Sequence, residues 1–331
     1  MIIQNKAYAR AGLIGNPSDG YFGKTISFII KNFSAKVTLY ESPRLTILPQ
    51  KCDRLDFVNF DELLDDVQVH GYYGGVRLIK AAIKRFGDYC GQIGRRIDRN
   101  FTLEYDTDIP IRVGLAGSSA IVTATLRSLM EFFGVQIPTP VLPGIILSVE
   151  LDELKIGAGL QDRVIQVYEG LVFMDFDKER MGRDGFGLYE PMDPMLLPPL
   201  FVAYHDSLAE GTEVTHNDLR SRFNRGEPQV LDAIKRWAEL AQRAHDQLLA
   251  GRGREIGPLM DANFDLRASL LHISPGNRRL VETGRRLGAA VKFAGSGGAV
   301  VGCHDGDPER LERLAAAYAG MGAKLIVPQI A

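Results

Sequence analysis

The 331-residue chain carries 39 Lys and Arg against 41 Asp and Glu, a formal net charge of −2, with 45% hydrophobic and 24% charged residues. Such a balance belongs to a globular chain large enough for two lobes and a cleft, and it offers little to nucleic-acid phosphates or an anionic membrane, so neither partner is expected. The opening MIIQNKAYARAG lacks a charged region followed by a long apolar run, no apolar stretch is bilayer-long, and Cys52, Cys90 and Cys303 form neither a disulfide framework nor a zinc spacing, so a cytoplasmic protein with buried thiols is expected.

Residues 6 to 40 read as a strand (KAYARAGLIG), a turn-rich loop (NPSDGYFGK) and a pair of strands within TISFIIKNFSAKVTLY. The loop holds Asn16, Asp19 and Lys24, with Arg10 just upstream; turn chemistry alone also accounts for such residues. Between Ser42 and Asp66 the pattern is irregular. In GYYGGVRLIKAAIKRF, Val76, Ile79, Ala82, Ile83 and Phe86 recur at helical spacing, and Tyr72 and Tyr73 precede them as candidates to border a base.

Arg99 to Leu115 alternates like a strand and leads into PIRVGLAGSSAIVTATLRSLMEFF, Pro110 to Phe133. There a short strand runs into a small-residue turn, Gly114, Ala116, Gly117, Ser118 and Ser119, that opens a helix. The first N–H groups of a helix have no internal partners and carry the positive dipole end, so this is a candidate anion site; the simpler reading is a serine cap. The turn lacks the Gly-Lys-Ser/Thr ending of a P-loop, and the chain has no dinucleotide-binding glycine pattern.

VLPGIILSVELDELK reads as a second helix. In IGAGLQDRVIQVYEGLVFMDF the Gly157–Gly159 turn is followed by Asp162 and the strand VFMDF, with Glu150 lying upstream. Residues 177 to 199, rich in Gly, Pro, Asp and Arg, are the candidate linker. FVAYH is a strand, and the polar run after it carries His216, Arg220, Arg222 and Arg225. Helices are expected at 228–250 and 255–271 and over NRRLVETGRRLG, then two strands joined by Gly295, Ser296, Gly297 and Gly298, a helix beginning at Pro308 and a closing strand AKLIVPQI. This order makes a compact α+β second lobe.

RAGLIGNPSDGYFGK, PIRVGLAGSSA and VKFAGSGGAVVG together resemble the three motifs of the GHMP kinases, the superfamily of galactokinase, homoserine kinase and mevalonate kinase. The middle stretch is one residue longer than that superfamily's Gly-Leu-Gly-Ser-Ser loop. RAGLIGNPSDGYFGKTIS, GYYGGVRL, GLQDRVIQVYEGLVFMDF, NFDLR and VKFAGSGGAVV are similar to the glucuronokinase branch in particular. The resemblance implies an α+β, two-lobed fold: a ribosomal-protein-S5-like N-terminal lobe over 1–185 and a ferredoxin-like C-terminal lobe over 186–331.

It also implies a kinase transferring the ATP γ-phosphoryl group to the anomeric hydroxyl of glucuronate, with Mg²⁺ as cofactor, acting as a monomer or homodimer. By the same resemblance Asp162 faces the acceptor hydroxyl with Arg10 beside it. ATP lies on Gly114, Leu115, Ala116, Gly117, Ser118, Ser119 and Ala120. Ser119 and Glu150 ligate the metal, with Ser118 and Glu153 as competitors. Asn16, Asp19, Lys24, Gly295, Ser296 and Gly297 line the sugar site. A uronate needs a cationic or amide partner, for which Arg127, Arg222, Arg267 and Lys292 are candidates. Another sugar (galactose, arabinose, a heptose or galacturonate) and a non-catalytic sensor on the same fold are the alternatives.

Overall fold

A long antiparallel pair, β1 (Ile2–Ile14) and β2 (Lys24–Glu41), forms the spine of the computed structural model, which describes residues 2–50, 53, 74–208 and 219–330. The expected strand pair within 25–40 is one strand. Its extra residues, Lys31 to Phe33, are taken up as a bulge, since Tyr8 pairs with Ser34 but Ala9 with Ile30. On the other edge the two halves of β2 take different partners: Lys24–Phe28 pairs with β5 (Leu171–Asp175) and Ala35–Glu41 with β4 (Phe101–Thr107). β3 (Thr46–Leu48) adds parallel to β4, and β6 (Leu188–Met192) antiparallel to β5.

β6 lies inside the stretch expected to be a linker. Its composition misleads because a short helix, α5 (Lys178–Asp184), capped by Asp177 and closed by the left-handed Gly185, precedes it, and Pro191 is tolerated on a sheet edge. The passage between sheets falls within 193–199.

Helix α1 (Gly75–Gln92) packs on α2 (Gly117–Phe133), whose other side lies on β1 and β2. Covered on both sides, α2 is buried around most of its circumference. The strand expected at Pro110 does not form. β4 ends at Thr107, and Arg112, Gly114 and Ala116 all have φ between 62° and 73°, which an extended strand forbids. α3 (Leu142–Ser148) continues as a π turn over Val149–Glu153, and α4 (Gln161–Tyr168), which the sequence reading omitted, precedes β5.

The second sheet is antiparallel, with β7 (Leu200–Tyr204), β8 (Ala290–Phe293), β9 (Ala299–Cys303) and β10 (Lys324–Ile326) in the order β10-β7-β9-β8. That order is ferredoxin-like, with α6 (Pro228–Leu249), α7 (Gly257–Leu270) and α8 (Pro275–Arg286) in the first crossover and α9 (Pro308–Ala319) in the second. Ala241, Ala244 and Leu248 of α6 join the core over the first sheet, which ties the two sheets together. Cys90 and Cys303 are buried, as expected; Cys52 lies outside the described residues.

Candidate active site

Two glycine loops pack against each other in the wall of a cavity of about 390 Å³. Their approach is too close for side chains. A Cβ on Gly295 would stand 2.2 Å from Gly114 O and 2.9 Å from Arg10 Nη1, and one on Gly114 would meet Gly297 O and Ser296 N at 2.9 Å. The first loop ends at Ala116, a left-handed residue that leads into α2 with no side-chain cap. The serine-cap reading therefore fails, and the first N–H groups of a 17-residue helix are left for an anion. Ser118 lines the cavity beside them, whereas Ser119 is fully buried and its hydroxyl donates to Ala116 O at 3.1 Å.

Arg10, in the middle of β1 and only 4% exposed, holds three elements together. Its Nε donates to Asp162 Oδ1 at 2.6 Å, and its Nη1 to Gly114 O at 2.6 Å and Ala294 O at 3.1 Å. Asp162, in the first turn of α4, also accepts from Arg163 Nη1 at 3.3 Å, and Arg163 Nη2 donates to the buried Glu150 in the π turn. Glu150 lines the cavity; among the described residues its second oxygen, Oε1, takes no protein hydrogen bond.

Asp19 sits opposite, accepting from Gln161 N at 3.2 Å. Burial, reinforced by the neighbouring Asp162, pushes its carboxyl up to about 6.

Most of the expected residues meet here: Arg10, Asn16, Asp19, Gly114 to Ser118, Glu150, Asp162, Gly295 and Ser296 all line the cavity. Lys24 does not. Its ammonium turns to Asp175 at 3.0 Å and Gln242 at 2.8 Å. Ser119, Ala120 and Gly297 also stand back from the cavity wall.

Of the cations named for a uronate, Arg127 is tied to Glu169 and the carbonyl of Gln166, and Arg222 to Glu227 and the carbonyl of Leu270, and neither lines the cavity. Arg267 lines the cavity, and Lys292 is buried behind it. Arg220 stacks on the Tyr21 ring at 4.4 Å, and Arg225 donates to Ser221. Tyr72, Tyr73 and His216 lie outside the described residues. Sequence reasoning missed Arg163, Arg77 and Arg112 as lining residues; for Arg163 the signal was its place beside Asp162 on α4.

The GHMP kinases N terminal domain matches residues 77–170. Glucuronokinase 1 of Arabidopsis thaliana is 45% identical over 306 residues, covering 90% of this chain and 84% of its own. The chain belongs to the glucuronokinase family.

Within the solved GHMP kinases the fold recurs at low identity. Lactococcus lactis galactokinase complexed with galactose superposes with a TM-score of 0.78 at 18% identity, over 99% of this chain and 93% of that one. Streptococcus pneumoniae phosphomevalonate kinase, in complex with phosphomevalonate and AMPPNP, gives 0.78 at 17% identity over 99% and 100%. The two-lobed GHMP kinase fold expected of a glucuronokinase is thus the fold of this ATP-dependent kinase.

Proposed function

We propose that this protein transfers the γ-phosphoryl group of ATP to the anomeric hydroxyl of D-glucuronate, giving glucuronate 1-phosphate and ADP. The observation that carries the reading is the 2.6 Å Arg10–Asp162 pair beside the uncapped N-terminus of α2, in a chain 45% identical to a glucuronokinase. The triphosphate lies on the amides of Gly114 to Ser119, the Ala120 amide donating instead to Ala116 O at 3.2 Å, while Gly295 and Ser296 border the sugar from the second sheet.

Asp162 orients the anomeric hydroxyl and takes its proton as the new O–P bond forms and the bond to the β-phosphate oxygen breaks. Arg10 holds that carboxylate in line and lends positive potential to the transferring group. A loose phosphoryl-transfer transition state asks for this positioning and charge more than for covalent chemistry.

Mg²⁺, when bound, neutralises phosphate charge. Glu150 Oε1 and the Ser118 hydroxyl are the hard oxygen donors suited to it, with phosphates and water completing the shell. The nucleotide loop, Arg10, Glu150 and Asp162 fall in the unit expected at 1–185, which we extend to Met192 because β6 pairs with β5 in the first sheet, and Arg267, Gly295 and Ser296 fall in the second unit. No described helix is long and apolar enough to cross a membrane, and we place the protein in the cytoplasm as a monomer or homodimer.

Glucuronate, galacturonate, glucose, galactose, arabinose and mevalonate in an ATP-consumption assay test the substrate, and NMR of the product identifies the phosphorylated oxygen. Brisk turnover of a neutral sugar with none of glucuronate would overturn the assignment. Ligand binding without ATP consumption would favour a sensor.

A further inference from the structure

Lys292 of β8 is 1% exposed, and no carboxylate is among its partners in the described residues. Its Nζ donates to Gly12 O at 2.7 Å, Phe293 O at 2.8 Å and Asn16 Oδ1 at 2.6 Å. Burial, then the nearby Arg267 and Arg10, push its pKa well below the ordinary lysine value. Three carbonyl oxygens nevertheless call for three N–H bonds, which only the ammonium supplies.

An ammonium has no acceptor, so the Asn16 atom facing it is necessarily the amide oxygen, and the NH₂ is turned away. Asn16 is 2% exposed yet lines the cavity, with its backbone oxygen held by Asn263 Nδ2 at 3.0 Å. Among the described residues no hydrogen bond takes up its Nδ2. Arg267 reaches the same wall and donates to Gly295 O at 2.9 Å and Ser296 O at 2.7 Å. A buried cation without a counter-ion favours an anion placed beside it.

We propose that Asn16 Nδ2 binds the carboxylate of the sugar acid, and that Lys292 is the positioning residue that fixes the amide in this orientation and makes the wall electropositive. The proposal rests on the uronate reading above and assigns the residue that separates an acid from a neutral sugar. An acidic side chain at 16 would still partner Lys292 but would present oxygen to oxygen. A neutral amine at 292 would let the amide turn over, to the same effect.

The test uses the full chain and compares kcat/KM for glucuronate with that for glucuronamide, its neutral isostere. In Asn16→Asp the ratio of the two should fall about 30-fold or more, the size of one charge-assisted hydrogen bond turned into repulsion. In Lys292→Met it should fall about tenfold. A purely structural role would depress both substrates together and leave the ratio unchanged, which would overturn the proposal.

If Lys292→Met does not fold, Asn16→Asp decides alone, because its buried lysine keeps a partner. Wild-type protein that does not use glucuronate refutes the functional reading; wild type that uses glucuronate while Asn16→Asp keeps the ratio refutes this inference only.

Discussion

Arg10 Nε meets Asp162 Oδ1 at 2.6 Å, and the same guanidinium reaches the carbonyl of Gly114 at 2.6 Å. One cation in the centre of β1 therefore fixes the Asp162 carboxylate relative to the Gly114 loop, which is the alignment that the proposed phosphoryl transfer requires.

Asp162→Asn keeps the shape but removes the proton acceptor. Turnover should fall at least about 100-fold, the usual worth of a positioned base, while a fluorescent ATP analogue binds as tightly as before. A folded variant with near-normal turnover would take Asp162 out of the mechanism.

The Arg163–Glu150 pair, with side chains 3% and 2% exposed, is buried at both ends. Arg163→Met strands a carboxylate in the interior and should cost about 3–5 kcal/mol of stability. Adding Glu150→Gln should recover most of that in denaturant unfolding without restoring Mg²⁺-dependent activity. Equal stability of the single variant and the parent would remove the pair from the fold's support.

Asp19, raised to about 6, favours its protonated form in the folded state. Its stabilising contribution is complete below about pH 4 and is lost as pH rises through 6, roughly 3 kcal/mol in all. Sugar binding has the opposite sign, because only the ionised carboxylate accepts from sugar hydroxyls through both oxygens. kcat/KM should therefore drop as pH falls through about 6. Asn at position 19 should abolish that limb, weaken the sugar and make the free protein more stable at pH 7; an unchanged pH profile would separate Asp19 from sugar binding.

Ser118 lines the cavity, whereas the Ser119 hydroxyl donates to Ala116 O, so the proposed metal role falls to Ser118. Ser118→Ala should raise the Mg²⁺ concentration needed for half-maximal rate. Ser119→Ala, losing its bond to Ala116 O, should cost about 1 kcal/mol in thermal unfolding with little change in Mg²⁺ dependence. The reverse pattern would return the metal to Ser119.

Much of this site was readable from the chain. Glycines at 114 and 295 mark backbone approaches that a Cβ would block, the α1 and α6 apolar stripes follow helical period, and α2 reads as a mostly small and apolar run, so sequence alone determined both loops, the helix behind the first and the α+β order.

Other assignments needed the fold. PIRVG looks extended, yet left-handed residues turn it; Lys24 looks like a ligand, yet Asp175 and Gln242 claim it; and that the Ser119 hydroxyl donates to Ala116 O could not be read from the chain. Lys292 gave no spacing signal, and the place of Arg163 beside Asp162 did not reveal its partner, because what both do depends on partners: Glu150 in a π turn, and Asn16 some 276 residues away along the chain. Propensity and glycine sterics act over a few residues and leave local marks. The partner that a buried charge finds is set by which distant backbones the two sheets bring within hydrogen-bond reach, and only the tertiary structure decided that.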